Sequence, residues 1–243
     1  MADVSLIYYG ISDVELSEND TELSVQDGLY CNATVEQNLT ADGWNLVALP
    51  FDLTSAQVKK VFDDVKALDA LEVNGSACDL KFVDVRAMTA GVPYLVKAKE
   101  TGLTYTCEKV RINKGAYATG TVTMTSGDVT LTLCGTDGVK TLDNTNAYYY
   151  TGSIFLRGEV GEEVKGLSAY AVLEGANNLH VMNIYVDGEL VDVQNIKATS
   201  ADKKVTVYNV NGIVVRRGVQ MKDALKGLPS GFYIVDGVKY VVR

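Results

Sequence analysis

Two-residue turn signals recur along the whole chain, and they constrain its fold more than any other feature of the sequence. Each is an Asp or Asn followed by Gly, a pair that tolerates the positive φ angles of tight β-turns. The pairs are Asp27-Gly28, Asp42-Gly43, Asn74-Gly75, Asp137-Gly138, Asp187-Gly188, Asn211-Gly212 and Asp236-Gly237. The runs between them are short and rich in Val, Thr, Tyr and Leu, which favours antiparallel hairpins over alternating strands and helices.

The segment 121–134 shows this pattern most clearly. Apolar residues alternate with threonines on both sides of a Ser-Gly-Asp turn at residues 126–128. The apolar set is Val122, Met124, Val129, Leu131 and Leu133. Because side chains alternate between the two faces of a strand, the pattern predicts a hairpin with one buried face and one threonine-rich face in water.

Residues 54–65 are the exception to the strand pattern. Thr54 and Gln57 have the spacing of a capping box, and Val58, Val61, Phe62 and Val65 recur at helical spacing. This predicts a short helix over residues 54–65. Since an amphipathic helix must bury its apolar face, we expect it to cover an open end of a β-sandwich.

The domain organisation follows from these patterns and from the length. The chain has 243 residues, of which 47% are hydrophobic and only three are proline, so it is long enough to bury a substantial core. The predicted fold is all-β: an antiparallel β-sandwich with one short helix, plus a small C-terminal Ig-like β-unit. Residues 1–26 are predicted to be a lead-in strand and acidic linker, 27–196 the sandwich body and 197–243 the small unit.

The small unit is basic, whereas the rest of the chain is acidic. Nine Lys and Arg stand against three Asp in residues 197–243, although the whole chain carries a net charge of −9. The acidic bulk argues against a nucleic-acid partner. Forty-odd residues bury too little surface to be robust alone, so we expect the unit to dock on the body. Its predicted buried residues are Val205, Val207, Ile213, Val215, Phe232 and Ile234.

Four cysteines could form two disulfides in any of three connectivities. Period-2 alternation instead places Cys31, Cys78 and Cys107 on apolar strand faces, and Cys134 on the Thr130 and Thr132 face. We therefore interpret the cysteines as small hydrophobic residues and not as bridges.

Residues for catalysis or metal binding are sparse. His180 is the only histidine, it lies in an apolar run, and there is no Cys-x-x-Cys pair for a zinc site. A pair of carboxylates for glycoside hydrolysis can be imagined among 31 acidic residues, but no spacing singles one out. The sequence therefore predicts no enzyme, no metal and no cofactor.

Consecutive tyrosines are the candidate ligand-binding residues. Tyr148, Tyr149 and Tyr150, together with Trp44 and Tyr117, could form an aromatic platform for sugars or peptides. In a strand, however, Tyr148 and Tyr150 lie on the face opposite Tyr149, so at least one face is expected to be core. Packing is the preferred interpretation, and glycan binding is the alternative.

Membrane and export signals are also limited. No apolar stretch approaches the ~18–20 residues that a spanning helix needs. The start of the chain lacks a basic n-region, and the apolar segment 4–11 is short, so no signal peptide is visible. Two hypotheses stay open on these residues alone: an intracellular protein, or a mature or excised piece of an exported one.

Several stretches resemble modules of exported proteins from Bacteroidetes bacteria. DGWNLVALPFDLT at residues 42–54 and AGVPYLVK at residues 90–97 resemble the "GWNTLCLPF…AGKPYLIK" pattern of β-rich modules near the C-termini of large surface proteins. VYNVNG at residues 207–212, LPSGFYIV at 228–235 and VKYVVR at 238–243 are similar to C-terminal sorting domains of type IX secretion cargo. The terminal residue is Arg243 where that pattern usually has Lys.

The resemblance implies a context and a role. It implies a secreted or outer-surface location and, as partners, the other domains of a larger surface protein or components of the cell envelope. With the missing catalytic residues, it predicts a non-catalytic accessory module whose tail acts in sorting or anchoring or is only structural. A carbohydrate-binding or adhesive domain is the alternative.

Overall fold

A computed structural model of the protein describes residues 11–74, 77–143, 146–175, 181–191, 204–210, 212–235 and 238–242. Strands account for 56% of the structure and helices for 6%, which confirms the predicted all-β class. His180 and parts of the turns predicted at Asn74-Gly75, Asn211-Gly212 and Asp236-Gly237 lie outside the described residues.

The described ranges contain twenty strands, two helices and one 3-10 turn. In chain order they are β1 (Ser12–Ser17), β2 (Tyr30–Leu39), β3 (Asn45–Val47), α1 (Ser55–Val61), β4 (Phe62–Asn74), β5 (Ala77–Asp84), β6 (Tyr94–Ala98), β7 (Gly102–Arg111), α2 (Ala116–Thr119), β8 (Val122–Ser126), β9 (Val129–Gly135), β10 (Lys140–Thr141), β11 (Ala147–Tyr150), β12 (Ile154–Arg157), β13 (Glu163–Val164), β14 (Ala169–Glu174), β15 (Val181–Val186), β16 (Glu189–Leu190), β17 (Lys204–Asn209), β18 (Val214–Gln220), the 3-10 turn (Met221–Asp223), β19 (Gly231–Val235) and β20 (Val238–Val242).

One large curled sheet forms most of the body. Its strand order is β3-β6-β4-β5-β15-β12-β11-β14-β9-β8, and β16 pairs with β15. The sheet curls until β8, at one end, contacts β4 near the other. A cluster of buried side chains, here called the inner core, fills the curl. Among its largest members are Leu80, Phe82, Leu131, Tyr148 and Phe155.

A second sheet, of order β1-β2-β7, covers the other face of β3, β6 and β4. Consecutive residues of the covered strands therefore enter different clusters. Leu46 and Leu95 belong to the inner core, whereas Val47 and Val96 pack with Cys31 and other residues of the second sheet. Strands buried on both faces need a continuous apolar run, which explains the sequences LVAL and YLV at these positions.

Two strand pairs are parallel, although the turn pattern predicts antiparallel pairing. β1 pairs with β2 in parallel, with Ser12 opposite Cys31, and β15 pairs with β5 in parallel, with Asn183 opposite Asp79. A side-chain hydrogen bond of 2.8 Å from Asn183 to Asp79 lies at the start of the second pair. Parallel neighbours cannot be joined by a two-residue turn, so local turn signals carry no information about them.

The predicted helix is present but shorter than expected. Thr54 and Gln57 form both bonds of the capping box, and Val58 is buried against the second sheet's core. The helix ends at Val61, not at residue 65, because Phe62 pairs with Ala98 of β6 and begins β4. The prediction of helix beyond Val61 was wrong because the apolar spacing there continues by coincidence into a strand.

The described residues of the C-terminal unit form a four-stranded sheet of order β18-β17-β19-β20. One face packs Val205, Val207, Tyr233 and Val235 against the connection that contains Ala224. The side chain of Arg216 donates hydrogen bonds to backbone carbonyls of that connection, at Asp223, Ala224 and Lys226. These bonds hold the connection over the sheet.

The opposite face of the unit docks on the body. Ile234 packs against Ile154 of β12, with Tyr208 and Leu156 beside them. Of the six residues predicted to be buried in this unit, Val205, Val207 and Ile234 are buried, and that part of the prediction is confirmed.

The other three are exposed, so that part was wrong: Ile213 is 61%, Val215 39% and Phe232 44% exposed. Strand β18 carries two register shifts against β17, and Ile213 precedes the strand, so period-2 alternation fails there. Phe232 lies two residues before Ile234 on its strand, beyond the contact with the body.

Candidate functional site

A cavity of about 360 Å³ opens where the loop before β3 faces the β15–β16 hairpin. Its lining combines one indole ring with charged side chains from four separate parts of the sequence. These are Asp42, Trp44, Asp64, Lys97, Asp187 and Glu189. The curled sheet brings them together, since β4, β6 and β15 are all strands of that sheet.

Trp44 is held rigidly at one side of this cavity. The next residue, Asn45, is buried, and its amide donates to the carbonyls of Thr40 (2.8 Å) and Val96 (3.3 Å) while its oxygen accepts from the Thr40 amide (2.9 Å). The hydroxyl of Tyr150 donates to the carbonyl oxygen of Trp44 (3.0 Å). The indole packs against the inner core on one side and remains partly exposed. Its backbone is therefore fixed before any ligand arrives.

A buried ammonium group lies close to the ring. The side chain of Lys66 is only 3% exposed, and its Nζ contacts Asp187 (2.5 Å), Asp64 (3.3 Å) and Asp84. Burial opposes the charged form of Lys66, but hydrogen bonds to Asp187, Asp84 and Asp64 outweigh it and raise the lysine pKa above its usual value. The amine stays protonated at neutral pH, so it is neither a nucleophile nor a base.

Two ammonium groups lie over the indole ring. The Nζ of Lys97 is 5.0 Å from the ring centroid and that of Lys66 is 6.0 Å from it. Both distances fall within the range of cation–π attraction. Lys97 is exposed, unlike Lys66, so its side chain is the movable one of the two.

The predicted tyrosine platform is not assembled as one surface. Tyr148 is 1% exposed within the inner core, and Tyr150 packs its ring on Phe155 at 5.5 Å between centroids. Burial raises the pKa of Tyr150 above its usual range. Tyr117 is also buried, and its hydroxyl donates to the carbonyl of Ala48 (2.9 Å). Tyr149 lines an open space, apart from the cavity that Trp44 lines.

That space is a second cavity, of about 910 Å³, between the body and the C-terminal unit. Tyr149, Arg157 and Glu159 line it from the body, and Tyr208 and Arg217 line it from the unit. The guanidinium of Arg157 is oriented by a 2.7 Å hydrogen bond to the side-chain oxygen of Asn146. The walls of this second cavity carry both positive and negative side chains, so their charge does not indicate one class of ligand.

Burial disfavours the reactive form of the thiols. All four cysteines are free, and Cys31, Cys78 and Cys107 are buried as their strand positions predicted, with Cys134 half-buried. Burial raises the pKa of Cys78 and of Cys107 to about 12, so the reactive thiolate is disfavoured. In the described ranges, no group of three His, Cys, Asp or Glu side chains is arranged to hold a metal ion.

Sequence reasoning found Trp44 but not its surroundings. It assigned the DGWN motif to packing, and the indole does pack on the inner core. It predicted the turn at Asp187-Gly188 but gave no binding role to Lys66, Lys97 or Glu189, because these residues approach Trp44 only through long-range strand pairing. No local pattern marks that convergence.

Among the described residues there is no helix both long and apolar enough to span a membrane. The chain matches no family model, and no curated protein or solved structure is detectably similar to it.

Proposed function

We propose that this protein is a non-catalytic accessory module of an exported or cell-surface-attached bacterial protein, in which it spaces or presents other domains. The location rests on the resemblance of residues 42–54, 90–97 and 207–243 to modules of Bacteroidetes surface proteins. The non-catalytic role rests on the chemistry of the described residues.

The observation that carries the proposal is the state of Lys66. A buried amine among three carboxylates is the arrangement here that most resembles an active site. Its contacts with Asp64, Asp84 and Asp187 hold it as a charged ammonium, which is a structural ion cluster and not a reactive amine. The cluster ties β4, β5 and the β15–β16 turn together, which suits a rigid spacer.

A hydrolysis screen tests the non-catalytic role. Panels of glycans, esters and peptides incubated with the whole protein should show turnover no higher than buffer. Turnover that is abolished by Asp84→Asn, with folding intact, would overturn the proposal. The variant Glu72→Gln, at a carboxylate paired with Lys81 outside the cluster, serves as the matched control.

A fusion experiment tests the tail. Residues 197–243 are joined to an exported reporter in a Bacteroidetes host, and surface exposure is measured by protease treatment of whole cells. A reporter that reaches the surface supports a sorting role for the tail. A reporter that is retained leaves the tail as a structural cap and removes the sorting role from the proposal.

A second candidate function, carbohydrate binding or adhesion, is favoured by the partly exposed indole of Trp44 in a cavity edged by carboxylates. A glycan array with the whole protein tests this candidate. Among the predicted tyrosines, Tyr149→Ala tests the second cavity, which Tyr149 lines, because Tyr148 is buried and its truncation would damage the core. Binding that Tyr149→Ala leaves unchanged would be consistent with a site in the Trp44 cavity.

A further inference from the structure

We propose that the cavity beside Trp44 binds one ring of a neutral saccharide, which stacks on the indole in place of the Lys97 ammonium. This inference rests on the carbohydrate-binding candidate and is independent of the non-catalytic role. It assigns the ligand class, the stacking residue and a residue that controls access.

The cavity has the size for such a ligand. About 360 Å³ lies at the small end of the range for small-molecule sites, so it accommodates a single sugar ring and not a folded peptide. Its one aromatic wall is the indole, and its rim carries oxygen acceptors. Small-molecule sites combine an apolar wall with polar groups that fix the ligand's orientation. Here the apolar wall is Trp44 with Val186, Leu190 and Val191, and the lining is rich in charged groups.

The indole is already in position for stacking. The side chain of Asn45 and the hydroxyl of Tyr150, which donates to the Trp44 carbonyl, fix the backbone at Trp44 and Asn45. A rigid aromatic surface loses little conformational freedom on binding, so its contact area is converted efficiently into affinity. The partly buried ring packs on the inner core, and its exposed face suits ligands with a flat apolar face.

The charges disfavour an acidic ligand. Four carboxylates line the cavity, those of Asp42, Asp64, Asp187 and Glu189, and only two ammonium groups lie near them, that of Lys97 in the lining and that of Lys66 in contact with Asp64 and Asp187. Asp64 and Asp187 remain 36% and 51% exposed, and a carboxylate can accept several hydrogen bonds, so both can still accept from hydroxyl groups. A uronic acid would meet Asp42 and Glu189 at the rim, and a cationic ligand would meet Lys97.

Lys97 is the group that a saccharide would displace. Its ammonium lies 5.0 Å from the ring centroid on an exposed, flexible side chain. Exposed cation–π contacts are weak, and losing one corresponds to about a 2- to 5-fold change in affinity. Removal of this side chain should therefore strengthen saccharide binding by about that factor.

The chain's single tryptophan makes the test specific. Because all indole fluorescence comes from Trp44, a ligand in this cavity changes the emission and protects the ring from acrylamide quenching. The probes are cellohexaose, maltohexaose, mannohexaose and xylohexaose as neutral ligands, hexagalacturonate as the acidic ligand and spermine as the cationic one. We expect a saturable change with at least one neutral hexasaccharide and weaker binding of hexagalacturonate and spermine.

Matched variants assign the residues. Lys97→Ala should tighten neutral binding by about 2- to 5-fold, whereas Lys99→Ala, at a neighbouring exposed lysine outside the cavity, should leave it unchanged. Glu189→Ala should weaken binding by about 10-fold, whereas Glu174→Ala, at an exposed glutamate elsewhere, should not. Neither lysine nor glutamate is buried, so folding is not at risk.

The inference fails if no neutral hexasaccharide gives a saturable change in Trp44 emission up to about 10 mM. It also fails if Lys97→Ala and Lys99→Ala bind the saccharide equally well. Tighter binding of spermine than of every saccharide would likewise overturn it. A positive glycan array with unchanged Trp44 emission would retain the carbohydrate-binding candidate and place its site elsewhere. A negative array would rule out both the carbohydrate-binding candidate and the saccharide site at Trp44.

Discussion

Ile154 of the body and Ile234 of the C-terminal unit pack against each other, and each is about 1% exposed. They form the centre of the junction between two sheets that share no strand pairing in the described residues. Within those same residues, no ion pair joins the unit to the body, although the unit is basic and the body acidic. The contact that the structure shows between the unit and the body is therefore apolar, formed by Ile154, Leu156, Tyr208 and Ile234.

The first prediction concerns this contact. Ile234→Ala should lower the free energy of unfolding by about 2–4 kcal/mol, because a buried Ile loses its packing and leaves a cavity. Phe232→Ala, on the same strand but 44% exposed, should cost well under half as much. Urea denaturation measures the free energy of unfolding of Ile234→Ala and Phe232→Ala. The variants Ile154→Ala, Ile234→Ala and their combination form a double-mutant cycle, which gives the coupling energy between the two isoleucines.

Salt provides the opposing test for the junction. Salt at about 1 M screens charges much more strongly than salt at about 0.1 M, but it does not screen the burial of apolar surface. The coupling energy should therefore be the same, within error, at about 0.1 M and about 1 M NaCl. A coupling energy that falls by more than half in high salt would mean that charge, and not the isoleucine contact, holds the unit in place.

The second prediction concerns Lys66. Lys66→Met should destabilise the protein by about 1–3 kcal/mol at pH 7, because three carboxylates lose a shared, charge-assisted partner. Lys60→Met is the control: its pair with Glu108 is largely exposed on both sides, so it should cost about 0–1 kcal/mol.

The pH dependence follows from the direction of the Lys66 shift. The folded-state pKa is raised, so the ammonium's contribution is fully present below the unfolded lysine pKa of about 10.4 and is lost as the pH rises beyond it. The stability difference between wild type and Lys66→Met should be constant from about pH 7 to pH 10 and shrink above that range. A difference that shrinks between pH 7 and pH 9 contradicts the assignment.

The third prediction compares two glycines that both have positive φ. A Cβ added to Gly91 (φ +73°) would lie 2.2 Å from the carbonyl oxygen of Ala116, whereas one added to Gly127 (φ +60°) meets nothing within 4 Å. Gly127→Ala should therefore show only the backbone cost of about 1 kcal/mol, and Gly91→Ala about 3–5 kcal/mol. Thermal unfolding of the two variants measures the difference, and equal losses would disprove the close approach.

The fourth prediction concerns thiol reactivity. Burial raises the pKa of Cys78 and Cys107 from 9.0 to about 12, which lowers their thiolate fraction at pH 8 on the order of a thousandfold. Half-buried Cys134 should therefore be alkylated first in the native protein, and all four cysteines should react at similar rates in urea. Mass spectrometry of iodoacetamide-treated samples identifies the modified residues. Native alkylation of Cys78 at the rate of Cys134 would contradict the burial.

The sequence was sufficient to predict those elements whose contacts lie close together in the chain. The threonine alternation of residues 121–134 became the β8–β9 hairpin, with Val129, Leu131 and Leu133 buried, and Thr54 and Gln57 capped a helix. It failed where register depends on distant strands. Val215 is exposed because bulges break the alternation of β18, and Val65 belongs to a strand because β6 pairs with it. The Trp44 cavity could not be predicted, since Lys97 and Asp187 reach it only after the sheet has curled.

The parallel pairing of β5 with β15 also has a consequence for the order in which the protein can fold. Asp79 and its partner Asn183 are 104 residues apart in the chain. During synthesis β4, β5 and β6 can pair among themselves, and so can β8, β9, β11, β12 and β14, but the two groups are joined in the sheet only when β15 arrives. Until then, one edge of β5 and one edge of β12 present unpaired backbone groups, which are templates for association with other chains. The nascent protein is therefore most vulnerable to aggregation before β15 has been synthesised and has paired with β5 and β12. A chaperone, or fast translation of β15, would matter most at that stage.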